Sequence, residues 1–396
     1  MDHAVNRFKI VTMFLAAAVL LSLAVTFALA QAKTATKAPN QSAAQTSAPA
    51  SPTSPTSPPA STRTAATTPA LRTLPEGMQL RGLSIQLASG GEGYPYESLI
   101  HDIAKTGANC VKLVVAAYQE NCSAVKMAVD PNRSPSDKKL KALVQAAHKD
   151  GMKVILMPIV LLNNPGESEW RGKIEPKEED GGWDAWWAGY DKYILRYARL
   201  AQDAGVDMLI VGSELISTET QTSRWEALIA DVRKVYQGLT SYSANWDHYR
   251  PVKFWGSLDV VGMTSYYDLV GEDQPTREKL LESWSKIRQE ILEWQATIHR
   301  PIVFTEVGWP NQATAAKYPW DYYRSMDKPD PQQQKLCFDT FFETFGKLPQ
   351  VAGVLVWEWC NNPSQVTGPD KDTGYCPKDK PAMDVIKAFF KNGGKQ

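Results

Sequence analysis

A closed barrel of eight parallel strands wrapped by helices, the (β/α)8 or TIM barrel, is the fold class this sequence predicts. Short apolar runs alternate with longer amphipathic stretches from Gly82 onward, and the apolar runs number eight. Glycines stand just past helices and just before strands at Thr106-Gly107, Asp150-Gly151 and Ala204-Gly205. Strands alternating with helices imply a parallel sheet, and eight such units suit a barrel with some enlarged loops.

The expected strands are Gly82–Leu87, Cys110–Val115, Val154–Ile159, Met208–Val211, Leu239–Ala244, Val260–Ser265, Ile302–Thr305 and Val354–Trp357. Most are rich in Val, Ile or Leu, as strands buried on both faces require. Apolar residues at three- and four-residue spacing place helices at Pro135–Asp150, Trp183–Ala204, Ser223–Gln237, Arg277–Gln295, Pro331–Phe345 and Pro381–Lys391. An open doubly wound sheet lacks support, because no strand leads into a Gly-x-Gly-x-x-Gly phosphate turn.

The first 30 residues are read as an export segment. Arg7 and Lys9 precede an uncharged, mostly apolar run from Ile10 to Ala30 that ends in small residues, as a cleavable signal peptide does. The run is also long enough to span a bilayer as an uncleaved anchor. Both readings place the rest of the chain outside the cytoplasm, either secreted or anchored and facing the periplasm or exterior. Residues 31–75, rich in Ala, Thr, Ser and Pro, cannot bury a core and are expected to form a disordered linker. Residues 76–396 are then the barrel domain. Of the five Cys, Cys360 and Cys376 flank a polar loop and are the best candidate disulfide, while Cys110 and Cys337 lie in apolar patterns and read as buried thiols. No Cys or His spacing suits a metal; no cofactor is expected.

Charge balances at 43 basic and 43 acidic residues, which gives no reason to expect nucleic acid or an anionic membrane as partner. A monomer is expected, touching membrane only through an uncleaved N-terminal segment. The 13 Trp and 15 Tyr pair flat apolar faces with polar edges, a chemistry suited both to sugars and to a large core.

In such barrels chemistry sits at the C-terminal strand ends. Strand four runs Met208-Leu-Ile-Val-Gly-Ser-Glu214 and strand seven runs Ile302-Val-Phe-Thr-Glu306. Each drives an apolar strand into a carboxylate, a costly design without a functional reason. Two carboxylates facing across a barrel mouth can cleave an acetal, one protonating the leaving oxygen and the other attacking the anomeric carbon. Trp357, ending strand eight, suits the apolar floor beneath a sugar ring. Glu358 beyond it is a third strand-end carboxylate, expected to bond a hydroxyl or a backbone group. Asn245, heading the run Asn245-Trp-Asp-His248 after strand five, is a hydroxyl reader or a turn cap. Arg171, in a loop longer than a compact connection needs, lines the cleft or braces that loop. Gln119 is a weaker candidate after strand two.

These residues resemble the retaining glycoside hydrolases of clan A, and within it glycoside hydrolase family 113, the β-mannanase-type family. The motifs are Val115-Ala-Ala-Tyr118-Gln119-Glu-Asn121, Trp170-Arg171-Gly172, Trp183-Asp-Ala-Trp186-Trp187-Ala-Gly-Tyr190, Gly212-Ser213-Glu214-Leu215 and Phe304-Thr-Glu306-Val-Gly308-Trp309, and the resemblance spans residues 79 to 392. It implies that Glu214 is the acid/base, Glu306 the nucleophile, and Tyr266 the donor to the nucleophile. It adds Trp309 to the substrate-binding candidates. The implied reaction is hydrolysis of a β-linked glycan, with β-mannan first and a glucan, galactan or amino-sugar polymer as other sugars. A non-catalytic glycan-binding barrel is the alternative from another class. The sequence departs from the clan at Ser213, where an Asn that contacts the sugar 2-hydroxyl is usual; this leaves the sugar at that subsite open.

Overall fold

The computed structural model describes residues 71–74, 78–321, 328–360 and 370–391, all within the unit Ala70–Gln396. The export segment, residues 1–30, and most of the linker lie outside the described residues. Among the described residues no helix is long and apolar enough to cross a membrane.

Eight strands make the barrel: β1 Leu80–Gln86, β2 Cys110–Gln119, β3 Lys153–Leu162, β4 Met208–Ser213, β5 Leu239–Ala244, β6 Val261–Thr264, β7 Ile302–Val307 and β8 Val351–Val356. Each pairs in parallel with its sequence neighbour, and β1 pairs with both β2 and β8, which closes the ring. A two-residue strand, Met127–Ala128, adds antiparallel to the end of β2.

The helices are α1 Tyr96–Ala104, α2 Asp137–Lys149, α3 Gly182–Ala204, α4 Thr222–Val235, α5 Arg277–Ile298, α6 Pro331–Phe345 and α7 Pro381–Lys391. Several start where local chemistry satisfies the free N–H groups of a first turn. Ser136 accepts from Lys139 N, Thr276 from Lys279 N, and Asp330 from Gln332 and Gln333 N, with Pro331 supplying a fixed φ at the first turn. The fifth unit departs from the expected repeat. Between β5 and β6 stands only a 3-10 turn, Phe254–Ser257. Its Phe254 and Trp255 are buried against Trp225, Tyr242 and Trp294, and so fill the layer a helix would occupy.

Side chains alternate across each strand and divide the core in two. Leu80, Cys110, Ile155, Met208, Val303 and Leu355 fill the barrel interior. The second layer, between barrel and helices, is rich in Trp, Tyr and Phe, including Trp186, Trp187, Tyr190, Trp225 and Trp284. Much of the aromatic content is therefore core.

Two residues within the expected linker, Arg72 and Leu74, contact the barrel. Arg72 donates its backbone N–H to Asp259 Oδ1 at 2.7 Å and its guanidinium to Gly238 O and Gln237 Oε1. Leu74 packs against the interior cluster. A buried carboxylate seeking donors gives this short stretch a place to bind. Cys360 and Cys376 form a disulfide, while Cys110, Cys122 and Cys337 are buried thiols.

Candidate active site

Strand ends carry the chemistry because the barrel interior beneath them is packed and closed. At the end of β4, Glu214 is buried and takes a left-handed backbone conformation, φ 53°. A residue with a Cβ seldom adopts that region, and its cost is about 1–3 kcal/mol. The Glu214 N–H donates to Ser243 O at 2.8 Å, which ties the turn to β5. Gly212, two residues earlier, allows this approach: a Cβ there would lie 2.7 Å from the Trp225 ring and 2.8 Å from the Tyr190 hydroxyl.

Glu214 Oε2 is 2.5 Å from Arg171 Nη2, and Arg171 Nε donates to Ser213 O at 3.2 Å. Arg171 thus braces the long loop after β3 against the end of β4. Burial pushes the Glu214 carboxyl up to about 7; the Arg171 charge opposes this, the Glu306 charge adds to it, and Lys112 and the Thr264 hydroxyl oppose it further. The environment favours a carboxyl that can hold its proton near neutral pH.

Glu306 lies inside β7 and is buried. Both its oxygens are held: Tyr266 OH donates to Oε2 at 2.9 Å, and Lys112 Nζ lies 3.4 Å from Oε1. Lys112 is 0 % exposed. It donates to Thr305 O at 2.7 Å and lies 5.0 Å from the centre of the Trp357 ring. Contacts from a phenol and a buried ammonium, one to each oxygen, fix the carboxylate in orientation. Lys112 was not among the sequence candidates. Its signal was a lysine within the apolar strand Cys110-Val-Lys-Leu-Val-Val.

Glu358 follows Trp357, and its carboxyl is pushed up to about 8 by burial and by the Glu306 charge, with Lys112 opposing. Its Oε2 is buried without a hydrogen-bond partner among the described residues. Lys112 is thus influenced by three carboxyl groups, Glu306 first, then Glu214 and Glu358.

The other sequence candidates divide. Ser213 is buried beside Glu214, and its hydroxyl has no partner among the described residues. Asn245 stands just past the end of β5: Nδ2 donates to Asp247 Oδ1 at 2.7 Å and Oδ1 accepts from Thr264 at 3.4 Å. These contacts are those of a turn cap, and they leave a second amide N–H. Gln119 and Trp309 do not reach the cleft. Gln119 is fully buried, accepting from Trp186 Nε1 and donating to Asn121 O. Trp309 is fully buried against Phe338, Phe341 and Trp284, in the layer between barrel and helices. Gly308 places it there, since a Cβ at 308 would meet Trp357 O at 2.2 Å.

The sequence profile of Glycoside Hydrolase Family 113 matches residues 95–380. The chain belongs to glycoside hydrolase family 113. It is thus an O-glycosyl hydrolase. Among solved structures, the family 113 β-mannanase of Alicyclobacillus acidocaldarius in complex with ManMIm is similar at 26% identity and TM-score 0.71, over 80% of this chain and 98% of that one. A family 113 β-1,4-mannanase is similar at 26% identity and TM-score 0.70, over 79% and 99%. A family 5 mannosidase from Rhizomucor miehei, at 12% identity and TM-score 0.55, shares the fold. No curated protein sequence matches the chain.

Proposed function

We propose that this family 113 enzyme cleaves β-mannan by double displacement, with Glu306 as nucleophile and Glu214 as acid/base. The observation that carries this reading is the contrast between the two carboxylates. Glu306 has each oxygen held, one by Lys112 and one by Tyr266, while burial gives Glu214 an affinity for its proton near neutral pH. A carboxyl that holds its proton near neutral pH and a second carboxylate fixed in orientation are what a retaining glycosidase needs.

In the first step Glu306 attacks the anomeric carbon and forms a glycosyl ester as the bond to the leaving oxygen breaks. Glu214 delivers its proton to that oxygen. In the second step water attacks the anomeric carbon, Glu214 takes the water's proton, and the bond to Glu306 breaks. Two inversions give net retention. Tyr266 and Lys112 lower the cost of regenerating the Glu306 carboxylate. Trp357 offers a ring face to the sugar; Ser213 Oγ and Glu358 Oε2 are buried polar atoms with no hydrogen-bond partner among the described residues. Mannan as substrate is supported by the two family 113 mannanases, each covered almost end to end by this chain.

Export is part of the proposal. The Cys360–Cys376 disulfide supports it, since such bonds persist in oxidising compartments. So does the apolar segment Ile10–Ala30.

The test is hydrolysis of defined β-linked manno-, cello-, xylo- and galacto-oligosaccharides, followed by NMR before mutarotation. The proposal requires turnover of the manno series with β-anomer formed first. Preferred cleavage of another series would remove mannan; first-formed α-anomer would remove double displacement.

A further inference from the structure

A hydrogen-bonded chain of three side chains stands behind Glu214 and is not used by the chemistry described above. Leu215, the residue after Glu214, donates its backbone N–H to Tyr242 OH at 2.9 Å. Tyr242 OH donates in turn to Glu219 Oε1 at 2.7 Å. The other oxygen of Glu219 is 2.5 Å from His248 Nδ1. Glu219 and Tyr242 are fully buried, and His248 is partly exposed in the loop after β5.

The arrangement has features that packing alone does not require. A fully buried carboxylate is costly and persists where its oxygens are satisfied; here both are, one by a phenol and one by an imidazole. The peptide N–H at the other end belongs to the turn in which Glu214 adopts φ 53°. With its oxygen donating to Glu219, the Tyr242 phenol becomes a better acceptor for that N–H. The 3-10 turn Ile216–Thr218 brings Glu219 back under β4, where Thr218 O and Oγ1 accept from Trp225 Nε1. The chain therefore links the acid/base turn, the loop after β4, and the loop after β5.

We propose that Glu219 is a positioning residue for the acid/base step: through Tyr242 it holds the Leu215 N–H, and with it the left-handed turn that presents Glu214 to the leaving oxygen. Glu219 touches neither substrate nor the reacting atoms. This inference rests on Glu214 being the acid/base.

The experiment compares kcat/KM on two substrates, a dinitrophenyl β-mannobioside and unactivated mannohexaose. The dinitrophenyl group leaves without a proton, so its release does not depend on Glu214; the mannohexaose linkage does. Glu219→Ala is expected to lose about tenfold or more in kcat/KM on mannohexaose and to stay within about threefold on the dinitrophenyl glycoside. Glu219→Gln, which keeps an acceptor for Tyr242, is expected to recover most of the loss. If Glu219→Ala does not fold, Tyr242→Phe removes one oxygen from the same chain and carries the same comparison.

Equal losses on both substrates, or no recovery in Glu219→Gln, would overturn the inference and leave Glu219 a structural residue. Glu214→Ala is measured alongside. A leaving-group split in Glu214→Ala but not in Glu219→Ala defeats this inference alone. No split in Glu214→Ala defeats the acid/base assignment on which it rests.

Discussion

Lys112 Nζ lies 3.4 Å from Glu306 Oε1, and both side chains are shut away from bulk water. A lysine inside a packed barrel loses its hydration, which lowers its hold on a proton, while the Glu306 charge counters that loss. The pair is a mutual dependence: each charge makes the other tolerable.

Lys112→Met tests that dependence. Removing one partner of a buried ion pair strands the other, at a cost of about 3–5 kcal/mol. Urea unfolding is expected to show a loss of that order, and kcat/KM to fall by about 100-fold through loss of an electrostatic contact to Glu306, the proposed nucleophile. Wild-type stability would mean that Glu306 is satisfied without Lys112.

Glu214 gives the rate a pH signature. With its carboxyl pushed up to about 7, the protonated form needed to assist departure is lost as pH rises through that value. The alkaline limb of kcat/KM is expected there. The Arg171 charge is the largest influence opposing the upward shift. Arg171→Met therefore lets Glu214 keep its proton longer, and the limb should move to higher pH. A limb that stays in place or moves down would contradict the contact's electrostatic role.

Glu358 makes stability itself depend on pH. Its carboxyl is raised from an ordinary 4.5 to about 8 in the folded protein, first by burial and then by the Glu306 charge. A carboxyl raised on folding binds its proton more tightly in the native state. Its penalty is absent below about 4.5, grows as pH rises, and is complete above about 8. Glu358→Gln should flatten the fall in urea midpoint across that window relative to wild type. Parallel curves for the two proteins would contradict this.

Gly212→Ala places a methyl against Trp225, Tyr190 and Tyr242, at 2.7, 2.8 and 3.0 Å. Overpacking of this kind costs about 1–3 kcal/mol. Because the crowding falls two residues before Glu214, a loss of kcat should accompany the lower urea midpoint. An unchanged midpoint would show that the aromatic layer can yield.

The barrel was legible in the sequence because apolar periodicity reports which face of each element is buried. Helices α6 and α7 fall at the bounds expected, where Pro331 and Pro381 mark their starts. Glu214 and Glu306 stood out as carboxylates ending apolar runs. What the sequence concealed depended on partners distant along the chain. Gln119 and Trp309 looked like cleft residues, yet the first bonds Trp186, 67 positions away, and the second turns outward to the helices. Lys112 hid in an apolar strand because its long aliphatic stem is compatible with one. His248 gained meaning only when the topology set it beside Glu219, 29 residues earlier.

The most direct test of double displacement through Glu306 is the product that Glu306→Ala forms from an activated β-mannoside in the presence of azide. Removing the nucleophile leaves a space that a small anion can enter and from which it can attack the same anomeric carbon. The prediction is that azide restores turnover and yields an α-configured glycosyl azide, identified by NMR. A β-configured azide, or wild-type hydrolysis by Glu306→Ala without azide, would contradict the assignment of Glu306 as nucleophile.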